Sequence, residues 1–442
     1  MTEKMKPSGI AWIGDIPQDW NIKRVKYLAS LKGRIGWQGL TSDEYIDEGP
    51  YLITGIDFQN GGIDWNNCVH VSEERWAEAP EIHIQNGDLL ITKDGTVGKV
   101  AIVSGLEGKA SLNSGVLLIR TNPDFDKRFL FWVLQSEEFW TWFRLKNAGN
   151  STIIHLYQGD FAEFSYTFPN AAEQRAIADF LDSQCAKIDS VIADIEKQIE
   201  TLQKYKRSLI TEAVTKGLDR SAPTQHSGID WIGTIPAHWN IKKIKYVASK
   251  IGSGKTPKGG AEVYEDEGIT FIRSQNVYDD GLHLEDVKYI SESIDAEMHT
   301  TRLLFGDVLF NITGASIGRC CIYSLQDKGN VNQHVCIIRT NEKCYNEYLR
   351  YVLNSDIGKV QTAINQMGGN RDSLTFEQIG LFVFPLPPRH EQVEIANVLR
   401  DKCKHVEAVI NEKKKELATI HQYKQSLTYE YVTGKKRVTE VN

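Results

Sequence analysis

The chain has 442 residues, a net charge of −7, 41% hydrophobic and 25% charged residues. That length exceeds one compact core, so about two to four domains are expected, and the composition is that of globular protein rather than a disordered tail. The acidic balance argues against indiscriminate nucleic-acid binding, although only one face of a DNA-binding protein has to be basic.

No apolar run approaches the ~20 residues of a membrane span, and the start, "MTEKMKPSG", lacks the hydrophobic core of a secretory signal. The cysteines at 68, 185, 320, 321, 336, 344 and 403 form no CxxC pair and no Cys/His metal spacing. Free thiols in a reducing cytoplasm are expected.

Taken in chain order, the first element is "WIGDIPQDWNIKRVKYLAS" (12–30), where Trp12 and Trp20 bracket an Ile-Pro turn and the tail carries apolar residues at helix spacing. A globule of roughly 10–170 comes next, rich in Gly, Trp and β-branched residues. Within it "GDLLITKDGTVGKVAIVSG" reads as strand, glycine turn, strand, and "SGVLLIRTN" as a buried strand. "DKRFLFWVLQSEEFWTWFRL" (126–145) reads as short helix. The segment "YTFPNAAEQ" ends a strand at a proline that can sit in the first turn of a helix.

That helix is long, because no Pro or Gly occurs from Glu173 until Gly217. Positions 177, 181, 184, 188, 191, 195, 198, 202, 205 and 209 step 4-3-4-3, and eight of the ten are apolar or aromatic. This period is that of a coiled-coil seam.

After the polar linker "KGLDRSAPTQHSGID" the opening returns as "WIGTIPAHWNIKKIKYVAS" (231–249). Gly9–Ser30 against Gly228–Ser249 gives 15 identities in 22 positions. Gly87-Asp88-Leu89-Leu90 recurs at Gly306-Asp307-Val308-Leu309, and Ile119-Arg120-Thr121-Asn122 at Ile338-Arg339-Thr340-Asn341, both offset by 219; Glu173-Gln174 recurs at Glu391-Gln392, offset by 218. The stretch 395–427 repeats the helix with a weaker seam, which Cys403, Ile410 and Leu417 widen from one residue over. Each helix spans roughly 60 Å at 1.5 Å per residue. A lone stripe of that length has nowhere to hide, so the two helices are expected to pack on each other; the alternative is a helix packed on its own globule.

The fold class expected is therefore mixed α/β (α+β), as a pseudo-twofold tandem repeat with two globules and two long helices in an antiparallel coiled coil. Its boundaries are 1–170, 171–217, 218–388 and 389–442. The repeated opening looks like a socket that seats each globule against a helix end. The seam residues expected are Ile177, Leu181, Ile188, Val191, Ile195, Leu202, Tyr205 and Leu209, with Ile395, Leu399, Val406, Val409, Ile420, Tyr423 and Leu427 in the second helix.

The order globule–helix–globule–helix, the helix entries "PNAAEQRAIADFL" and "PPRHEQVEIANVL", the "WIGxIPxxW" starts and the loop "SGKTP" together resemble the specificity subunit of type I restriction-modification systems. The resemblance covers nearly the whole chain. It implies two variable target-recognition domains, each reading half of a split, asymmetric site in double-stranded DNA, and a coiled coil that spaces them. It also implies two modification subunits, which methylate adenine N6, and motor-nuclease restriction subunits. The cofactors S-adenosylmethionine, ATP and Mg2+ would belong to those partners, none to this chain. No membrane role is implied.

Enzymatic readings of local motifs are weak. "GSGKT" (252–256) lacks the early glycine of a phosphate loop, since Ser249 stands there, and Pro257 opposes a helix starting at Lys255-Thr256. No amino-methyltransferase motif is present. His155 and His334 have no neighbouring nucleophile in sequence, so they read as structural or base-contacting.

For base reading, Arg and Lys suit guanine, Asn and Gln adenine, and Ser or Thr either. The first globule offers Lys32, Arg34, Trp37 and Gln38 on a glycine-flanked loop, then Lys93, Thr96, Lys99, Asn113 and Ser114. The second offers Ser253, Lys255, Thr256 and Lys258, then Arg273, Ser274, Gln275 and Asn276, then Thr313, Ser316, Gln366 and Arg371. The globules carry 16 basic and 22 acidic residues (1–170), and 17 basic and 20 acidic (218–388), so DNA binding by the isolated chain should be weak. That charge favours the rival reading, a protein-binding adaptor with a coiled-coil rod, whereas the paired polar loops favour DNA. A third reading, an NTPase using the glycine loop, stands on "GSGKT" alone.

Overall fold

The computed structural model describes residues 4–34, 40–148, 154–366 and 373–438. Contacts divide the chain into two compact units, 1–195 with 415–442, and 196–414. The long helices are shared between the units rather than forming a separate domain, so each globule carries one half of each helix.

Each unit has the same strand plan. In the first, a four-stranded antiparallel sheet runs Val100–Ile102, Leu89–Thr92, Val116–Thr121, Ala29–Gly33. Beside it lies a three-stranded sheet in which Ala110–Leu112 pairs parallel with Ile46–Ile53. In the second, Cys320–Ile322, Val308–Asn311, Val335–Thr340 and Ala248–Ser253 repeat the first sheet, and Gly329–Val331 pairs parallel with Ile269–Ile272. The central strands are buried on both faces, which is why they read as continuous apolar runs.

The segment 126–145 forms two helices, α1 (Lys127–Gln135) and α2 (Glu137–Lys146), broken at Ser136, whose hydroxyl donates to Val133 O. The run after the first Trp pair is not the helix that its spacing suggests. Asn21–Arg24 is a strand paired with Ser165–Phe168, and only Val25–Tyr27 turns, as 3-10 helix. Val25 N donates to Phe164 O, so pairing to a strand about 140 residues away overrides the local period.

α3 (Ala171–Lys216) starts where Asn170 Oδ1 accepts from Ala172 N and Glu173 N, and it ends at Gly217, φ 72°. After the second globule's α4 (Asn346–Asn354) and α5 (Asp356–Gln366), α6 (Arg389–Val432) repeats α3. In one unit Asp189 pairs with Lys424 at 2.6 Å, and in the other Lys206 pairs with Glu407 at 2.6 Å. Advancing along α3 from 189 to 206 means retreating along α6 from 424 to 407, so the helices run antiparallel. The two pairs are repeat mates, offset by 218.

The seam is one residue out of the expected register at every second position. Ile177, Leu181, Ile195, Ile395, Leu399 and Leu427 are buried, and Ile188, Leu202, Leu209, Val406 and Ile420 half-buried, as expected. Val191, Tyr205, Val409 and Tyr423 are instead exposed, at 46, 54, 43 and 58%. Cys185, Ile192 and Ile410 are buried in the places expected of their neighbours. The apolar stripe is three positions wide, and the pairing selects the edge with more aliphatic surface: Ile192, Ile199, Ile410 and Leu417 against Val191, Gln198, Val409 and Glu416.

The repeated opening is a socket. In the second unit Ile235 and Trp239 share a core with Ala213 and Val214 from the end of α3. A Cβ on Gly217 would lie 3.1 Å from the Trp239 ring. In the first unit Ile16 and Trp20 pack with Leu427 and Val432 of α6, and a Cβ on Gly434 would lie 2.5 Å from Pro17. The "EQ" at each helix start is a second fastening. Gln174 Oε1 accepts from Asp126 N (3.0 Å) and Nε2 donates to Pro169 O (2.9 Å). Gln392 Oε1 accepts from Tyr345 N (2.7 Å), and its Nε2 donates to Pro387 O and Lys343 O.

Burial keeps Cys336 and Cys344 as thiols by pushing their pKa up to about 12, and every cysteine is free. No helix among the described residues is long and apolar enough to cross a membrane.

Glu138 on α2 breaks the symmetry. It is fully buried with neither carboxyl oxygen hydrogen-bonded, whereas its repeat mate is the buried Ile357. Burial drives its pKa well above the carboxylate range; the Thr167 amide opposes this without reaching good hydrogen-bond geometry. A folded-state pKa raised above the unfolded value of about 4.3 means that the protonated acid's contribution is complete below that pH and is lost as pH rises through the folded pKa. Glu138→Ile is therefore expected to stabilise the protein by about 1–3 kcal/mol at neutral pH, with a smaller gain at pH 4. Urea unfolding at both pH values checks this; an equal gain at both would refute the buried-acid account.

Candidate nucleic-acid interface

In both units the same four loops meet at one edge of the two sheets. In the first, Thr96 Oγ1 and Lys99 Nζ each donate to Gly55 O at 3.3 Å, Lys93 N donates to Gly115 O, and Leu156 N donates to Lys93 O. In the second, Asn311 Nδ2 donates to Ser274 O at 2.7 Å, Ile312 N to His334 O, and Leu374 N to Ile312 O. The loops 54–57, 93–98, 113–115 and 154–156 thus correspond to 273–276, 312–318, 332–334 and 373–374. The turn 54–57 closes on Asp57, which accepts from Thr54 N, and 273–276 closes on Asn276, which accepts from Arg273 N.

The scaffold beneath the loops is duplicated atom for atom. Arg120 makes two bonds to Asp88 and one to His83 O; Arg339 does the same with Asp307 and Arg302 O. These pairs hold the four-stranded sheet to the chain entering the strand that bears each 93–98-type loop. The loop side chains, by contrast, share almost nothing.

Of the residues expected to read DNA, Lys32, Thr96, Lys99, Lys255, Thr256, Lys258 and Gln275 are exposed. Lys93, Asn113, Ser253, Arg273, Ser274, Thr313, Ser316 and Gln366 are half-buried. Trp37, Gln38 and Arg371 lie outside the described residues. Two expectations need correction. Arg34 is only 4% exposed, and it donates from Nε to Leu112 O (2.7 Å) and from Nη2 to Ser111 Oγ (3.2 Å), bracing the neighbouring sheet. Asn276 is 2% exposed and spends its amide on Arg273 N and His283 O, which makes it a turn former.

Several other side chains have duties inside the loops. Asn113 Oδ1 accepts from Gly115 N and Ser114 Oγ, shaping its own turn. Arg273 and Gln275 both donate to Asp286 Oδ2, at 3.1 and 2.6 Å, so either must leave that carboxylate to touch another partner. Thr256 Oγ1 donates to Gln333 Oε1; Gln333 Nε2 meets His334 Nε2 at 3.0 Å, and His334 Nδ1 meets Thr313 Oγ1 at 2.6 Å. This chain of bonds ties the loop 253–258 to the loops 312–318 and 332–334. In the first unit His155 Nδ1 instead meets Asp94 Oδ1 at 2.5 Å. The large apolar tips Ile56 and Tyr157, 72 and 60% exposed, escaped the sequence reading, which looked for polar loop residues; Ile56 aligns with Gln275.

"GSGKT" does not form a phosphate cradle. Ser253 ends a strand, Gly254 N and Lys255 N donate to Val335 O and Val331 O, and the next turn is 3-10 helix at Gly260–Val263. The amides that would bind phosphate are already spent. A Cβ on Gly254 would lie 1.7 Å from Val331 O, so glycine is required there for the strand's close approach.

Two homologous globules on paired antiparallel helices, with a shared scaffold under divergent loops, define a tandem-repeat specificity protein. The chain belongs to the family of the type I restriction modification DNA specificity domain, which it matches over residues 17–201 and again over 236–419. It is 26% identical over 434 residues to the type I restriction enzyme MjaVIII specificity subunit of Methanocaldococcus jannaschii, covering 97% of this chain and 95% of that one. To the EcoBI specificity subunit of Escherichia coli it is 25% identical, covering 86% and 78%. In fold it resembles a solved chain described under "complex assembly and conformational transition of the type I R-M system", with a TM-score of 0.65 and 17% identity over 95% of this chain and 99% of that one.

Proposed function

We propose that each globule reads one half of a split, asymmetric site in double-stranded DNA through its four-loop edge, and that the helical frame carries the enzymes that act there. One observation carries this reading: the Arg–Asp pairs, helix-entry glutamines and interhelical ion pairs are repeated in the two halves, while the loop edges differ. A shared frame suits identical partners and divergent loops suit different DNA words.

Exposed apolar side chains that recur on the frame support two equal docking surfaces: Tyr27 and Tyr246, Val191 and Val409, Tyr205 and Tyr423. Two modification subunits would take them, bringing S-adenosylmethionine for adenine methylation. Restriction subunits would add ATP- and Mg2+-dependent steps, all on cytoplasmic DNA. This chain is a non-catalytic subunit in that assembly.

Replacing residues 31–168 by the corresponding segment of a relative is expected to change one half of the methylated sequence and leave the other intact. Genome-wide mapping of adenine methylation reads this directly. A change in both halves, or in neither, would overturn the modular reading.

A further inference from the structure

The second unit contains a cleft of about 1000 Å³ whose lining includes none of the loop residues 273–276, 312–318, 332–334 and 373–374. Residues 203–210 of α3 and 400–411 of α6 form one side, and α4, Lys359 and the hairpin 278–280 form the other. Seven basic side chains line it against three carboxylates. The carboxylates are already engaged: Glu407 with Lys206 at 2.6 Å, Asp279 with Lys359 at 3.3 Å, and Asp280 with His283 at 3.1 Å. Arg350 is held by Glu347 at 3.0 Å. Arg207, Arg319, Arg400 and Lys404 are left with no carboxylate partner among the described residues, Arg319 lying 4.4 Å over the Tyr278 ring.

The cleft also contains a buried acceptor without a donor. Asn354 is 7% exposed; its Nδ2 donates to Cys320 O at 3.1 Å, and its Oδ1 has no partner. The four cations without a carboxylate partner point to a ligand with several negative charges.

The repeat excludes a duplicated purpose. The first unit keeps a cation, Lys99, where the second has Arg319, but it has Phe131, Asp182 and Ala186 where the second has Arg350, Arg400 and Lys404. Asp182 there accepts from Arg128 and from Trp132 Nε1. A docking surface for one of two equal partners would be basic in both units. The cleft's volume also matches a small ligand rather than a duplex.

We propose that this cleft binds a compact polyphosphate, a nucleoside triphosphate or inorganic tripolyphosphate, whose phosphates meet Arg207, Arg319, Arg400 and Lys404. Guanidinium groups engage phosphate in paired charge-assisted bonds, and ligand charge would relieve repulsion among the four cations. The step is binding alone, with no bond made or broken.

The test is calorimetric titration of the full chain with tripolyphosphate and, separately, with ATP. Saturable binding of either is expected; binding of both identifies the phosphate chain as the recognised group, and binding of ATP alone the nucleotide. Arg319→Gln with Arg400→Gln should weaken it roughly ten- to hundredfold, and so should Arg207→Gln with Lys404→Gln. Because these four groups make no ion pair among the described residues, circular dichroism of the variants should match the parent, and affinity for DNA should be retained. Absence of saturable binding, or binding that survives both variants, would overturn the proposal. So would displacement of tripolyphosphate by duplex DNA with equal loss of DNA binding in the variants, which would make the cleft part of the DNA surface.

Discussion

Ile192→Asp combined with Ile410→Asp is expected to destabilise the protein by several kcal/mol, about 3–5 for each site, whereas Val191→Asp with Val409→Asp should stay within about 0.5. The four positions are adjacent in pairs and chemically alike, and only their place on the seam differs. Ile192 and Ile410 are 8 and 1% exposed, so an aspartate there must either ionise in the seam or unpack it. Val191 and Val409 face water, and aspartate is at ease in that setting. Urea unfolding of both double variants distinguishes the registers, and equal losses would restore the seam expected from the 4-3 spacing. The exposed pair then has a separate use, because loss of partner capture on a sizing column, at unchanged stability, would mark it as a docking face.

Gln392→Leu is expected to cost about 2–4 kcal/mol and to loosen α6 from its globule, although it replaces one buried side chain by another of similar size. Gln392 is 1% exposed and ties Tyr345 N, Lys343 O and Pro387 O together, so leucine leaves a buried amide and two carbonyls without partners. Gln174→Leu should cost somewhat less, since it breaks two such bonds rather than three. Hydrogen exchange at Tyr345 provides a local reading. If its amide remains protected in Gln392→Leu, the glutamine is not the fastening.

These two residues also show how far sequence reading reached. The "EQ" pair was legible as a repeated word, yet nothing local says that its glutamine bonds to a turn 47 residues away. Likewise Trp20 and Trp239 were legible as parts of a socket, since a motif written twice before each globule asks for a shared neighbour. What each socket holds came from the fold: the second receives the end of the helix just before it, the first the end of the helix at the far end of the chain.

By itself the sequence determined the duplication, the two long helices and the division into constant frame and variable loops. Those are properties of spacing, composition and repetition, which act along the chain. Only the tertiary structure decided which neighbour in a three-residue-wide stripe enters the seam, and that Arg34 braces a sheet while Asn276 closes a turn. It alone gathered Arg207, Arg319, Arg400 and Lys404 from separate segments into one cleft. Burial, pairing and the fate of a charge depend on what distant segments bring to the same place, and no period in the sequence encodes that.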